Sequence, residues 1–357
     1  MAFNPKLPYN DLPPLIPAAD HWKTIPVLEQ ATRAGRALAE LKGRMSAIPD
    51  PSIFINTLNI QEAKESSAIE NVVTTDEKLY RAMTSKYEAD RATKEVLRYG
   101  KAVNQAYAAL RDANKLSFDL LIQLYRTIKD ESDGIRDFQV YIGNSFEVIY
   151  TPPCCEDVIE SMLDNWLDFA NAKDDIDPLI KMAMLHYQFE SIHPFKDGNG
   201  RTGRVLNVLY LYSQNLLDEP VLYLSKYINA YKPGYYQGLR DVSERQNWEG
   251  WILYMLKAVE ETAKFTLNQV LAIIDLFNES RKWMQSEVSD VYSHELLEVL
   301  FAHVYCKYAY LEANGIASRN TASKYLNRLA DKGFLAKEKV GNEFIYRNIQ
   351  LYDLLSA

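Results

Sequence analysis

Twelve consecutive residues, His193 to Arg204 (HPFKDGNGRTGR), hold an ionisable base, a carboxylate, three glycines, an asparagine and two arginines. That set suits a site holding a polyanion beside a proton acceptor. Gly198, Gly200 and Gly203 let the backbone come close to a ligand, so that successive N–H groups can face phosphate oxygens. A helix beginning near Asn199 or Gly200 would add the positive end of its dipole. Arg201 and Arg204, three apart with Thr202 between them, are expected to project from one face of its first turn toward the anion. Asn199 offers an uncharged amide donor. Asp197 would repel phosphate unless a divalent ion bridges the two, and Mg²⁺ is the usual ion in that place. Histidine titrates near neutrality, so His193 can take a proton from a hydroxyl nucleophile. Pro194 ends the preceding helix and Phe195 is an apolar pin for the loop. Neither a GxxxxGK[ST] loop nor a GxGxxG turn after a strand occurs in the chain.

The elements that must position these residues are mostly helical. Asp177–Ile192 carries apolar residues at helical spacing, and 205–212 (VLNVLYLY) is apolar enough to be a buried helix. Further helices are expected over His21–Arg44, Pro51–Asn71, Arg91–Asp112, Ser117–Lys129, Glu156–Ala172 and Trp248–Glu287. Gly134–Pro153 has β-branched and aromatic residues on either side of Gly143-Asn144, which predicts a hairpin. From Val288 the pattern changes to helix (His294–Val304), helix (Tyr308–Ala313), turn (Asn314-Gly315), helix (Ser318–Lys332) and a hairpin with Gly341-Asn342 at its tip. Three helices and a two-stranded wing look like a winged helix-turn-helix. Between Arg319 and Lys339 six basic residues face only Asp331 and Glu338, which makes DNA a possible partner of this region. Three parts result: 1–90 with a Pro-rich arm and two helices, 91–287 as the main body, and 288–357.

Composition fits a globular intracellular protein. The chain has 357 residues, 47% hydrophobic, with a net charge of −8, which argues against a protein that coats nucleic acid or anionic membrane throughout. Three cysteines, two of them adjacent (Cys154-Cys155), make neither a disulfide framework nor a metal-ligand pattern and suggest a reducing cytosol. The Pro-rich start has no apolar h-region, and no apolar run is long enough to span a bilayer. A cytoplasmic location without membrane partners is expected.

The stretch HPFKDGNGRTGR resembles the signature of the Fic family, HPFx[DE]GNGRxxR, at every fixed position. Most members are protein adenylyltransferases, which move AMP from ATP to a Tyr, Thr or Ser hydroxyl of a target protein. The resemblance implies a helical core with a flap hairpin. It makes His193 the base, Asp197 the Mg²⁺ ligand, Asn199, the glycine backbone and Arg201 the holders of the α- and β-phosphates, and Arg204 the holder of the γ-phosphate. Ser66–Asn71 (SSAIEN) resembles the family's inhibitory pattern [ST]xxxE[GN], within the helix expected at 51–71. Of the two glutamates that precede Gly or Asn, Glu249 has Arg245 four residues back, so only Glu70 matches. A glutamate brought to Arg204 would form an ion pair in the γ-phosphate position, giving a self-inhibited protein of low activity. The hairpin matches the flap that clamps the target segment by strand addition, with Ile142 and Gly143 nearest the nucleotide. Tyr235-Tyr236 match positions that line the base. A homodimer is also what the resemblance suggests. Two other readings use the same residues: transfer of a different group or removal of AMP, and a DNA-binding regulator whose Fic domain senses nucleotide.

Overall fold

Apolar spacing at 3.6 residues, interrupted by caps and prolines, divides the chain into fifteen α-helices among the described residues. The computed structural model describes residues 3–13, 15–46, 52–84, 88–113, 115–143 and 146–356, with the backbone alone at 46 and 52–56. Pro51 and Asn144, at the edges of two expected elements, lie outside them. In chain order the first elements are α1 (Ile25–Ser46), α2 (Ser52–Ile69), α3 (Asp76–Thr84), α4 (Arg91–Ala113) and α5 (Phe118–Lys129). A short hairpin follows, β1 (Ile142–Gly143) and β2 (Val148–Tyr150), antiparallel with Ile142 opposite Tyr150. Next come α6 (Glu156–Asn171), α7 (Pro178–Ile192), α8 (Asn199–Ser213), α9 (Leu224–Ala230), α10 (Lys232–Arg245) and the long α11 (Trp248–Glu287).

Helix α7 is the axis of the molecule. Asp177 caps it by accepting from the Leu179 N–H at 2.8 Å, and Pro178 occupies its first turn, where no N–H is needed. It is buried nearly all round, packed by α6, α8, α11 and α1. Its one lysine, Lys181, is tolerated inside because its ammonium reaches the Asp174 carboxylate (2.7 Å) and the Ala172 carbonyl (2.9 Å). Trp166 of α6 and Trp251 of α11 are buried against it, each donating its indole N–H to an α7 carbonyl. Truncating either to Ala would remove about 3–5 kcal/mol of packing. The helix that ends at the candidate base is therefore held rigidly by the core.

The C-terminal part comprises α12 (His294–Ala302), β3 (Tyr305–Cys306), α13 (Tyr308–Ala313), α14 (Arg319–Asp331), β4 (Leu335–Val340), β5 (Glu343–Asn348) and α15 (Ile349–Ser356). The strands form one antiparallel sheet in the order β3-β5-β4, and the Gly341-Asn342 turn joins Val340 to Glu343 as expected. This part packs on the N-terminal helices: α12 lies against α2, Arg81 meets Glu338 at 2.7 Å, and Thr84 donates to the Tyr305 carbonyl at 3.0 Å. The basic surplus of α14 is partly answered by acids near the end of α11. Arg328 lies 3.8 Å from Asp290, and Lys332 lies 3.3 Å from Glu287.

Several elements go beyond the sequence reading. The helices α3, α9, α10 and α15 and the two-residue β3 were not expected, because most are too short to complete a periodic pattern and need tertiary packing to form. Cys154 and Cys155, read as thiols of a reducing compartment, are joined as a vicinal disulfide, and Cys306 is free and buried. The bond links neighbours and closes no length of chain, so it makes no framework. No helix among the described residues is long and apolar enough to cross a membrane.

Candidate active site

At the C-terminal end of α7 the chain turns through His193 in the left-handed region (φ 49°, ψ 58°), which stops the helix and swings the imidazole into a cavity. The His193 Nδ1 lies 3.2 Å from the Glu190 carbonyl. A carbonyl only accepts, so Nδ1 carries the proton and Nε2 keeps its lone pair. Burial lowers the His193 pKa to about 4, so the ring is neutral at pH 7.

The loop after His193 is fixed from two sides. Phe195 is fully buried and stacks on Tyr125 of α5, with ring centroids 3.9 Å apart. The Asn199 amide closes the loop on itself, accepting from the Phe195 N–H (2.8 Å) and donating to the Phe195 carbonyl (2.7 Å). Arg136 ties it to the base of the hairpin. Its side chain donates to the carbonyls of His193 (2.9 Å), Phe138 (2.9 Å) and Pro153 (2.6 Å), and its backbone N–H donates to Pro194. Tyr150 of β2 adds a bond from its hydroxyl to the Ser191 carbonyl (2.8 Å). Sequence reasoning missed Arg136 and Tyr150, since a single arginine or tyrosine in an extended stretch carries no periodic signal.

Gly198, with φ +81°, caps the start of α8, whose N-terminus opens onto the loop. Thr202 turns back to the loop, its hydroxyl on the Gly198 carbonyl at 3.0 Å. The two arginines go different ways. Arg204 crosses to α2, where its Nε donates to the Ser66 hydroxyl (2.8 Å) and its Nη2 to the Ser66 carbonyl and the Glu70 carboxylate (2.9 Å each). Arg201 instead pairs with Glu95 of α4 at 2.5 Å. The expectation that both project toward one anion is corrected: both are buried, but only Arg204 lines the cavity. Gly200 makes this possible, because a Cβ there would lie 2.4 Å from a Glu70 oxygen and 2.9 Å from Arg204. Gly203 leaves room in the same way for the Glu190 carboxyl.

The cavity measures about 540 Å³. Of the expected residues, Glu70, Ile142, Gly143, His193, Gly200, Arg204, Tyr235 and Tyr236 line it. Tyr235 is buried with its hydroxyl 2.9 Å from His186 Nε2, whereas Tyr236 is half-exposed. Asn71 ends α2 in the left-handed region (φ 61°) and Ser66 lies beneath Arg204, both outside the lining. Glu190, not singled out from sequence, also lines the cavity, and burial pushes its carboxyl up to about 8.

Helix α2 is held along one face at residues 62, 66 and 70, spaced one turn apart. Glu62 accepts from the Ser225 N–H (3.1 Å), from the Ser225 hydroxyl and from Tyr99 (3.4 Å). On another face Gln61 donates to the Leu355 carbonyl at 3.3 Å, so the C-terminal part also bears on α2.

Asp197 lies at the edge of the loop, its carboxylate accepting from Gly198 N–H (2.7 Å) and meeting Lys129 at 2.5 Å. Among the described residues no group of three or more His, Cys, Asp or Glu is placed to hold a metal. Mg²⁺ often takes one carboxylate plus substrate phosphates and water. A single, 63% exposed aspartate beside a helix N-terminus fits that mode, provided Lys129 yields it.

Three family models match consecutive stretches: the Fic/DOC family N-terminal region at 28–108, the Fic/DOC family at 115–211, and the C-terminal domain of SoFic-like protein adenylyltransferases at 276–351. The chain belongs to the Fic family. Protein adenylyltransferase fic-1 of Caenorhabditis elegans is 34% identical over 103 residues, 27% of this chain and 19% of that protein. Protein adenylyltransferase Fic of Nematostella vectensis is 30% identical over 120 residues, 31% of this chain and 27% of that protein. The match thus spans about a fifth to a quarter of these curated relatives. A Fic family protein from Desulfovibrio desulfuricans G20 shares the fold across 94% of this chain and 98% of its own, with TM-score 0.58 and 19% identity. Residues 134–508 of C. elegans Fic-1 give TM-score 0.53 at 19% identity, over 68% of this chain and 73% of theirs.

Proposed function

We propose that this Fic protein transfers AMP from ATP to a Tyr, Thr or Ser hydroxyl of a protein, and that Glu70 restrains the transfer. The observation that carries this reading is the Glu70–Arg204 pair inside the cavity that His193 also lines. The acceptor oxygen attacks the α-phosphorus and forms a new P–O bond. The bond from that phosphorus to the oxygen bridging toward the β-phosphate breaks, its electron pair leaving with pyrophosphate. The hydroxyl proton passes to His193 Nε2, a step of the kind worth about 10²–10⁴ in rate. His193 is suited to it because Glu190's carbonyl fixes the tautomer and burial keeps the ring unprotonated.

The N-terminus of α8 and Arg204 supply positive charge for the phosphates. While Glu70 occupies Arg204, the γ-phosphate lacks its partner and the nucleotide is held off the in-line pose. Asp197 would hold Mg²⁺ together with the phosphates, and the ion would neutralise charge on them. Arg201 shares in phosphate binding only to the extent that Glu95 releases it.

Removal of AMP is a second reading, favoured by one arrangement: the Glu70 carboxylate and His193 line the same cavity, where a carboxylate can orient a water. Incubation with α-³²P-ATP, and with γ-³²P-ATP in parallel, separates the two. The proposal expects α-label on protein from Glu70→Gly, none from Glu70→Gly/His193→Ala, and no γ-label. Absence of α-label from Glu70→Gly with a lysate as acceptor, together with release of AMP from a labelled protein by the native chain, would reverse the assignment.

A further inference from the structure

The N-terminal arm, which the catalytic reading leaves without a task, reaches the cavity. Tyr9 N–H donates to the Thr151 carbonyl at 3.0 Å, the Thr151 hydroxyl donates to the Pro5 carbonyl at 2.6 Å, and the Cys154 N–H donates to the Asn10 side chain at 3.1 Å. Residues 5–10 are thereby laced to the irregular stretch that follows β2. Farther along the arm, Phe3 stacks on Tyr150 of β2 with centroids 6.1 Å apart and planes 13° apart, and meets Tyr9 edge-on at 5.2 Å. The Tyr9 ring packs against Tyr150 as well, completing a three-ring cluster. Phe3 then forms part of the cavity wall with Ile149, Tyr150, Leu239 and Ser243. Tyr150 in turn is bonded to Ser191, two residues before His193.

Three large apolar side chains of the arm and of the approach to β1 are exposed. Phe138 and Tyr141, leading into β1, are 47% and 63% exposed, and Leu7 of the arm is 59% exposed. Tyr141 directly precedes Ile142, which lines the cavity. The wall section made by Phe3, Ile149, Tyr150 and Leu239 is apolar, so a charged group set against it would lose its water without gaining a partner. Arg240, which follows Leu239 in α10 and also lines the cavity, faces Glu244 at 3.8 Å.

We propose that the arm is part of the acceptor site, and that Phe3 selects acceptor segments carrying an apolar or aromatic side chain next to the modified hydroxyl. The inference rests on the transferase reading and deepens it by naming the class of acceptor. The occupant is an extended segment of a target protein, which lies along β1 at Ile142 and Gly143 and seats its flanking side chain on Phe3. Phe3 is a specificity-determining residue, distinct from the groups that act on phosphate.

The test uses full-length Glu70→Gly and its Phe3→Ala, Phe3→Leu and Phe3→Asp derivatives. The probes are nonamer peptides with a central Tyr, Thr or Ser flanked by Phe and Leu, or by Gly and Asp. Peptide binding is read by fluorescence anisotropy, α-³²P transfer gives KM and kcat for peptide, and calorimetry gives the Kd of ATP. The expected result is tighter binding of the Phe/Leu-flanked set. Phe3→Ala should raise peptide Kd and KM about five- to tenfold, the scale of one aromatic contact, with kcat and ATP Kd within about twofold. Phe3→Leu should recover most of the loss, and Phe3→Asp should be worse than Phe3→Ala. Equal binding of both peptide sets, or a Phe3→Ala effect on ATP Kd and kcat with peptide KM unchanged, overturns the proposal and makes the arm a staple for the hairpin or a nucleotide contact. Phe3-dependent peptide binding without label transfer would leave this surface standing and remove the transferase reading instead.

Discussion

Replacing Glu70 by Gln tests the restraint with little change in shape. The Glu70–Arg204 contact is 2.9 Å, with the Arg204 side chain 1% and the Glu70 side chain 36% exposed. Coulomb attraction at that separation is about 6 kcal/mol with an effective dielectric near 20. Screening at the partly exposed glutamate and the cost of desolvation reduce this to the ~1.5–3 kcal/mol typical of a hydrogen bond to a charged group. On the proposed restraint, ATP must displace that contact to place its γ-phosphate on Arg204. Deleting it altogether, as in Glu70→Gly, should therefore improve ATP binding in the transferring pose by about 10–100-fold. Glutamine keeps one hydrogen bond to the guanidinium, so Glu70→Gln should gain less, about tenfold, the lower end of that range. Calorimetric ATP titration and α-³²P transfer at subsaturating ATP read the two effects. Arg204 would also be left buried without a counter-charge in the free variant, so its Tm should fall and the rise in Tm on adding ATP should grow. ATP affinity and transfer rate within twofold of the native chain for both variants would show that the pair does not gate the nucleotide.

Two further outcomes follow from the site. The base works only unprotonated, and burial holds the His193 pKa at about 4, so kcat/KM of Glu70→Gly should stay level as pH drops below ~6.5, where solvated histidine titrates. The acid limb belongs near pH 4; a midpoint between 6 and 7 would contradict this environment for the ring. Lys129 lies 2.5 Å from Asp197, so Lys129→Met should lower the Mg²⁺ concentration for half-maximal transfer about two- to fivefold, the usual scale of a part-exposed ion pair. An unchanged Mg²⁺ titration would mean that the cation is seated elsewhere.

The sequence disclosed the long helices, the loop, and the partnership of Glu70 with Arg204, because periodicity, glycine spacing and opposite charge are local signals or follow from a known pattern. It did not disclose which partner each arginine takes. Arg201 finds Glu95, 106 residues away, through the packing of α4 on α8, and nothing in GNGRTGR distinguishes it from Arg204. Asn199 looked like a donor for phosphate, yet both ends of its amide are engaged by Phe195. A loop that must present backbone N–H groups needs something to hold its shape, and the most suitable side chain for that was the one read as a ligand. Arg136 is the complementary case: four carbonyls converge on one guanidinium, a role visible only once the hairpin and the loop are folded together.

Under the proposed restraint, these placements let one ion pair govern the cavity. Glu190 and His193 lie three residues apart on the same helix end, and burial moves them in opposite directions, the acid up to about 8 and the base down to about 4. Both are therefore neutral at pH 7. Among the described lining residues the remaining charges are Glu70, Arg204 and Arg240, the last facing Glu244. Arg204 is fully buried and stays protonated, so the charge beside the α8 N-terminus is balanced or positive according to where the Glu70 carboxylate stands. A triphosphate meets a neutralised site in one case and an uncompensated guanidinium in the other. The carboxylate follows the last turn of α2, one turn past Ser66 and two past Glu62, so under the proposed restraint the switch in charge lies at the end of a helix anchored behind it.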